Sequence, residues 1–182
     1  SKVDIFIRIP EANSHFGFDK EKNQLLITLG EKISVDKYVV ATGGNATNTA
    51  VGISRLGFNA GLYAEIGKDE FSGKILDKLK AENINTDLLL QNDKENTSLS
   101  VILTYNGERT IFSEHIQRDH NFNFQDKETN LIYLTSLGEV WEKAYKKALD
   151  FVENKKIKLA LEKSMVDENH LFGRNKDEVK KR

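Results

Sequence analysis

Gly43-Gly44-Asn45-Ala46-Thr47-Asn48-Thr49-Ala50 follows an apolar run, Tyr38-Val39-Val40-Ala41, and leads into Val51-Gly52-Ile53-Ser54-Arg55-Leu56-Gly57. The first flank has strand character, and the second has helical spacing with a glycine stop, so the octapeptide is a strand-to-helix turn. A glycine pair at a helix start leaves backbone N–H groups without intrahelical partners and lets a ligand approach the chain closely. The amides of Asn45 and Asn48 add donors and acceptors to the same small volume. This chemistry suits a polyhydroxylated molecule. The same residues also read as a glycine turn that only joins strand to helix, and locally the two readings stand level.

Working outward, Val3 to Ile9 and Gln24 to Leu29 read as strands, and Lys32 to Ala41 as two short ones separated near Asp36. Leu62 to Ile66 is a buried-type strand. Asp69 then reads as a helix N-cap, with Phe71, Ile75, Leu76 and Leu79 at helical spacing and Asn83 or Asn85 as the stop. Ser98 to Tyr105 alternates, and Asn106-Gly107 before Arg109 to Ser113 signals a hairpin. Leu131 to Leu137 and Ile157 to Leu161 are strands flanking a helix from Val140 to Val152, whose inner face holds Trp141, Ala144, Ala148 and Val152. Strands alternating with helices predict an α/β fold with a parallel sheet flanked by helices. The strands without intervening helices predict a small separate sheet. From Glu162 the chain is highly charged and weakly patterned.

Composition narrows the function classes. Of 182 residues, 38% are hydrophobic and 30% charged, with a net charge of -1 and no cysteine. No basic excess points to nucleic acid, no apolar run reaches the ~20 residues of a membrane span, and no secretory signal is visible. Disulfides and thiolate metal sites are excluded, and a cytoplasmic protein is expected. His15, His115, His120 and His170 show no metal-ligand spacing. Lys146-Lys147 reads as a solvated face, and Arg118 with Asp119 as a polar-loop pair.

The run Gly43 to Gly57 resembles the first signature of the ribokinase-like (PfkB) carbohydrate kinases. Ile66-Gly67-Lys68-Asp69-Glu70-Phe71-Ser72-Gly73 is similar to that family's G-x-D-x-x-G continuation, and Thr97 to Phe112 resembles the hairpin it places over the sugar. Val3-Asp4-Ile5 resembles the end of its first strand, and Leu171 to Glu178 its N-x-x-E segment. The resemblance implies one partial ribokinase-like domain over 1–182, covering the N-terminal part of the family only. It places lid strands at about 5–9, 24–41 and 98–114, and the α/β part at about 42–97 and 131–182. It also implies sugar binding by Asp4, Gly43, Gly44, Asn45 and Asn48, with Ser100, Ile102 and Phe112 lining the pocket. Asn175 and Glu178 would organise Mg²⁺ and phosphate, and ATP would be the phosphoryl donor. Read without the family, Asp4 is equally a strand-end turn cap, Asn48 a helix-start residue bonding backbone, and Ser100, Ile102 and Phe112 ordinary sheet residues. Asn175 and Glu178 then read as a solvated helix start.

The family's second signature, D-x-x-G-A-G-D, occurs nowhere in the 182 residues. It supplies the aspartate general base and the anion hole, so no catalytic residue is assigned and the chain alone is expected to be inactive. The C-terminal part of the fold is expected to be absent, the first strand to be clipped, and the stretch from Ile157 to Glu168 to be shortened. The function implied is that of the sugar-binding half of an ATP-dependent carbohydrate kinase acting on a sugar or nucleoside, a homodimer through its lid sheet. The alternative is a non-catalytic sugar- or nucleoside-binding, self-associating half-domain.

Overall fold

The computed structural model describes residues 1–114, 116–124, 128–138 and 140–162. Asn175, Glu178 and His115 therefore lie outside the described residues. Strand β1 (Lys2–Arg8) is followed by a small hairpin, β2 (Phe16–Asp19) and β3 (Gln24–Ile27), and then by β4 (Lys37–Gly43). Helix α1 (Asn45–Arg55), β5 (Ala64–Gly67), α2 (Glu70–Ala81) and β6 (Leu89–Asn92) come next. A second hairpin, β7 (Leu99–Tyr105) and β8 (Glu108–Ser113), precedes β9 (Leu131–Leu134), α3 (Glu142–Lys155) and β10 (Lys158–Leu161).

Two β-α-β crossovers carry the parallel character: β5 pairs with β6 across α2, and β9 with β10 across α3. Separately, β4, β1, β7 and β8 form a mixed four-stranded sheet in that order. There β1 runs antiparallel to β4 and parallel to β7. One ladder thus joins the strand that ends at Gly43, the strand bearing Asp4 and the Asn-Gly hairpin. The hairpin closes as its dipeptide requires, with Asn106 at φ 48° and Gly107 at φ 80°, both left-handed.

Helix ends follow local chemistry. Helix α1 stops at a Schellman motif: the Gly57 N–H donates to Ser54 O and the Phe58 N–H to Ile53 O, with Gly57 at φ 88°. Helix α2 ends the same way on a non-glycine residue, Asn83 at φ 55°, while the Ile84 N–H donates to Leu79 O. Its start is a capping box in which the Asp69 carboxylate accepts from the Ser72 amide and the Asp69 amide donates to Ser72 Oγ. The main core gathers Val3, Ala50, Leu62, Ala64, Ile66, Ile75, Leu79 and Ile84. A second cluster packs Phe122 against Ala144 and Tyr145, with Tyr63, Phe124, Leu134 and Trp141 at its edge.

Three local expectations need correction, and two strands went unread. Lys32 to Ala41 holds one strand: before Lys37 the chain is mostly exposed, Val35 included, and the pairing with β1 starts at Lys37. Strands β2 and β6 were not legible, being four residues each with only two large apolar side chains apiece. Arg118 is buried and pairs with Glu65 of β5, not with Asp119. Lys147 donates to Asn121 Oδ1 and to Phe122 O, so it ties α3 to the preceding loop.

Candidate sugar site at the Gly43–Gly44 turn

Strand pairing decides which side chains meet. In the four-stranded sheet Asp4 lies between Ala41 of β4 and Ser100 of β7, and Ser100 lies opposite Ser113 of β8. Residues directly opposite share a face, so Lys2, Asp4, Ser100 and Ile102 project from one side of the sheet. Val3, Ile5 and Leu99 project from the other and pack against the main core. Phe112 pairs with Val101 and so sits on the face opposite Ser100 and Ile102, with 54% of its surface exposed. The sheet brings Asp4, Ser100 and Ile102 together and leaves Phe112 out.

The Asp4 carboxylate rests on Gly43. A Cβ built on Gly43 would stand 1.9 Å from Asp4 Oδ2 and 2.8 Å from Cγ, so glycine is required there for space. Asp4 Oδ1 is buried and accepts no hydrogen bond among the described residues. Its nearest cation is Lys2 Nζ at 3.7 Å, which donates to Ser100 Oγ at 2.8 Å, and Ser100 Oγ lies 3.1 Å from Ser113 Oγ. An ionised carboxylate with an unspent buried oxygen is a strong acceptor awaiting a donor.

Next to it, Gly44 is the N-cap of α1 with φ 98°, a conformation that L side chains rarely adopt. No side chain caps α1 and no acidic residue occupies its first turn. The first amides of the helix thus present donors and the positive end of its dipole beside Asp4. The Asn48 N–H donates to Gly44 O, and the Asn48 side chain is exposed one turn into the helix. Asn45 Nδ2 is spent on Ser136 Oγ (3.0 Å) and Glu162 Oε2 (3.1 Å), and the Ser136 amide donates to that same Glu162 oxygen. Ser136 and Glu162 follow β9 and β10 directly, so the carboxyl ends of two parallel strands meet the start of α1. Ligands of open α/β sheets bind at such places.

A polar joint fastens the hairpin to the body. Asp69 Oδ2 accepts from the Thr97 amide (2.7 Å) and Oδ1 from the Thr97 hydroxyl (2.8 Å), while the Gly67 N–H donates to Thr97 Oγ1. Burial alone would raise the Asp69 carboxyl, but these bonds from Thr97, with that from the Ser72 amide, hold it below its usual range. Arg118 extends the joint, pairing with Glu65 at 3.6 Å and donating to Asn96 O.

Against known proteins, a family model described as pfkB family carbohydrate kinase matches residues 11–169. The chain belongs to the pfkB family. Fructosamine kinase FrlD of Bacillus subtilis (strain 168) is 33% identical over 114 residues, covering 59% of this chain and 40% of that protein. Fructokinase-2 of Oryza sativa subsp. japonica is 37% identical over 73 residues, covering 40% of this chain and 22% of that protein. The structure of Arabidopsis thaliana ribokinase complexed with ribose and ATP is similar with a TM-score of 0.63 at 16% identity, covering 88% of this chain and 50% of that one. The pfkB chain thus has the ribokinase-like fold and spans half or less of the length of these relatives.

The Gly43–Gly44 turn lies inside the matched residues of the pfkB chain, whereas Lys2 and Asp4 precede them. Lys2, Ser136 and Glu162 border that turn and were missed from sequence. The only signal for Lys2 was its spacing two residues from Asp4 on one strand, which places both on one face. For Glu162 the signal was position, just past the predicted strand ending at Leu161, whereas Ser136 fell inside the stretch from Leu131 to Leu137 read as a strand.

Proposed function

We propose that this chain is the sugar-binding half of an ATP-dependent carbohydrate kinase, moving the γ-phosphoryl group of ATP to a sugar hydroxyl. The observation that carries the reading is the Asp4 carboxylate, seated on Gly43 with one buried oxygen unspent beside the uncapped start of α1. Membership of the pfkB family supports it. Asp4 accepts two hydroxyl hydrogens, Gly43 and Gly44 admit the ring to the backbone, and Asn48 adds an amide from the next turn. Asn45 orients the turn through Ser136 and Glu162. Ser100 and Ile102 form the floor, and Phe112 belongs to the far face of the lid.

ATP is the donor that the family implies. Phosphoryl transfer rests on positioning and on electrostatic stabilisation of the moving group, and these residues provide the positioning of the acceptor. For Mg²⁺ the described residues offer no group of three or more His, Asp or Glu. They do not fit a metal site, and no step is routed through one. Asn175 and Glu178 are the family's candidates for that role and lie outside the described residues. The exposed Tyr38, Val40 and Phe112, which share the Ile5 face of the four-stranded sheet, support a homodimer through the lid. No described helix is long and apolar enough to cross a membrane, which accords with the cytoplasmic location proposed.

Because D-x-x-G-A-G-D is not among these residues, a second reading is a non-catalytic sugar- or nucleoside-binding half-domain. Isothermal titration with D-ribose, D-fructose and adenosine, with a coupled ATPase assay, tests both. Sugar binding lost in Asp4→Asn supports the site. Turnover by this chain alone removes the second reading, and absence of any sugar binding removes the first.

A further inference from the structure

Lys2 stands where it can meet whatever Asp4 binds. It is two residues from Asp4 on β1, and its ladder partner is Gly43 itself. Its ammonium carries three donors. One goes to Ser100 Oγ at 2.8 Å, and Ser100 is locked in turn by Ser113. The distance of 3.7 Å to Asp4 Oδ1 makes an ion pair but is too long for a hydrogen bond. The ammonium is thus anchored by a buried serine and held beside an acceptor it does not satisfy. The side chain keeps 29% of its surface exposed, against 15% for Asp4, so it is the more solvent-facing of the two.

We propose that Lys2 is a further substrate-contacting, specificity-determining residue of the sugar site, donating to a sugar oxygen next to the hydroxyls that Asp4 accepts. The assignment rests on the Asp4 reading and deepens it. Asp4 takes hydrogens and Lys2 gives one, so the pair reads two adjacent oxygens in opposite senses. An oxygen facing Lys2 needs only to accept, whereas those facing Asp4 must donate. The site therefore takes a neutral polyol with a ring, carbonyl or hydroxyl oxygen beside its paired hydroxyls.

The test uses the full chain with D-fructose, D-ribose and their monodeoxy analogues as probes, read by titration calorimetry. Lys2→Met is expected to weaken the better of the two sugars about tenfold, the usual worth of a hydrogen bond from a charged donor. Lys2→Arg should restore most of that loss. One deoxy analogue should bind poorly to the unmodified chain, yet no worse than the parent sugar to Lys2→Met, which identifies the oxygen contacted. Unchanged affinity in Lys2→Met overturns the proposal. So does a loss accompanied by a lower melting temperature that Lys2→Arg does not rescue. Loss of binding in Asp4→Asn with none in Lys2→Met overturns this assignment alone, whereas binding retained in Asp4→Asn overturns the Asp4 reading beneath it.

Discussion

Asp4 occupies the volume that any side chain at residue 43 would need: Oδ2 lies 1.9 Å from the position of a Cβ there. Asp4 of β1 and the first glycine of the turn are therefore one steric unit. Gly43→Ala should displace the carboxylate and cost about 1–3 kcal/mol of stability, the usual range for overpacking. Sugar affinity should fall with it, by at least as much as in Asp4→Asn. Calorimetry and urea denaturation on both variants check this, and an alanine variant with normal affinity would contradict it.

Asp69 should tie acid stability to the hairpin joint. Its carboxyl is held below the ordinary value of 3.8, so the unfolded chain binds the proton more readily. The stabilisation is complete above about pH 4 and is lost as pH falls through the lower, folded value. Glu82, held at about 2 by Arg55 and Lys78, titrates in the same acid range. Denaturation midpoints from pH 5 to pH 2 should therefore fall less steeply in Asp69→Asn, leaving the Glu82 slope. At neutral pH, Asp69→Ala should cost about 2 kcal/mol through loss of the cap and the Thr97 bonds.

Gly67 is needed for space and not for its backbone angles. A Cβ there would meet the Thr97 amide nitrogen at 2.3 Å, the Asn96 carbonyl carbon at 2.5 Å and the Glu95 oxygen at 2.7 Å. These are backbone atoms and cannot step aside as a side chain would. Gly67→Ala should destabilise by about 3 kcal/mol, more than a typical glycine replacement. Thermal unfolding reads the effect, and a shift under a degree would count against it.

Arg118 and Glu65 are 5% and 8% exposed at their side chains, so each is the other's principal counter-charge. Removing one strands the other: Arg118→Met should cost about 3 kcal/mol. The double variant Arg118→Met/Glu65→Gln should be more stable than the sum of the single losses, which a double-mutant cycle measures.

Phe112 is exposed on the face away from Asp4. Phe112→Asp should leave sugar affinity unchanged and lower the apparent mass by light scattering, if that face holds two copies together. Equal mass for both chains would set the lid dimer aside.

The parts legible in sequence were those whose chemistry is local. Asn106-Gly107, Asp69 with Ser72, and Gly43-Gly44 carry their conformations in two or three residues, and the structure has the turn, the cap and the helix start at those positions. The face of Phe112 was also within reach. A two-residue turn pairs Tyr105 with Glu108, and counting back pairs Val101 with Phe112, opposite in sense to Ser100 with Ser113. Lys2 with Ser100, Arg118 with Glu65, and Asn45 with Glu162 were not legible. Each joins segments far apart in the chain, where charge alone says nothing about the partner. Asp119 was the nearest opposite charge to Arg118 in sequence, but Glu65 is the one that folding buries beside it.

The Thr97 joint also fixes the mechanics of the hairpin. With residue 97 bonded to Asp69 and its neighbours pressed onto Gly67, the hairpin cannot pivot at its own root. Any closure over a bound sugar has to come as a twist shared by β7 and the strand hydrogen-bonded beside it, β1. Since β1 carries Asp4 and Lys2, bending the cover would reposition the very groups that grasp the guest.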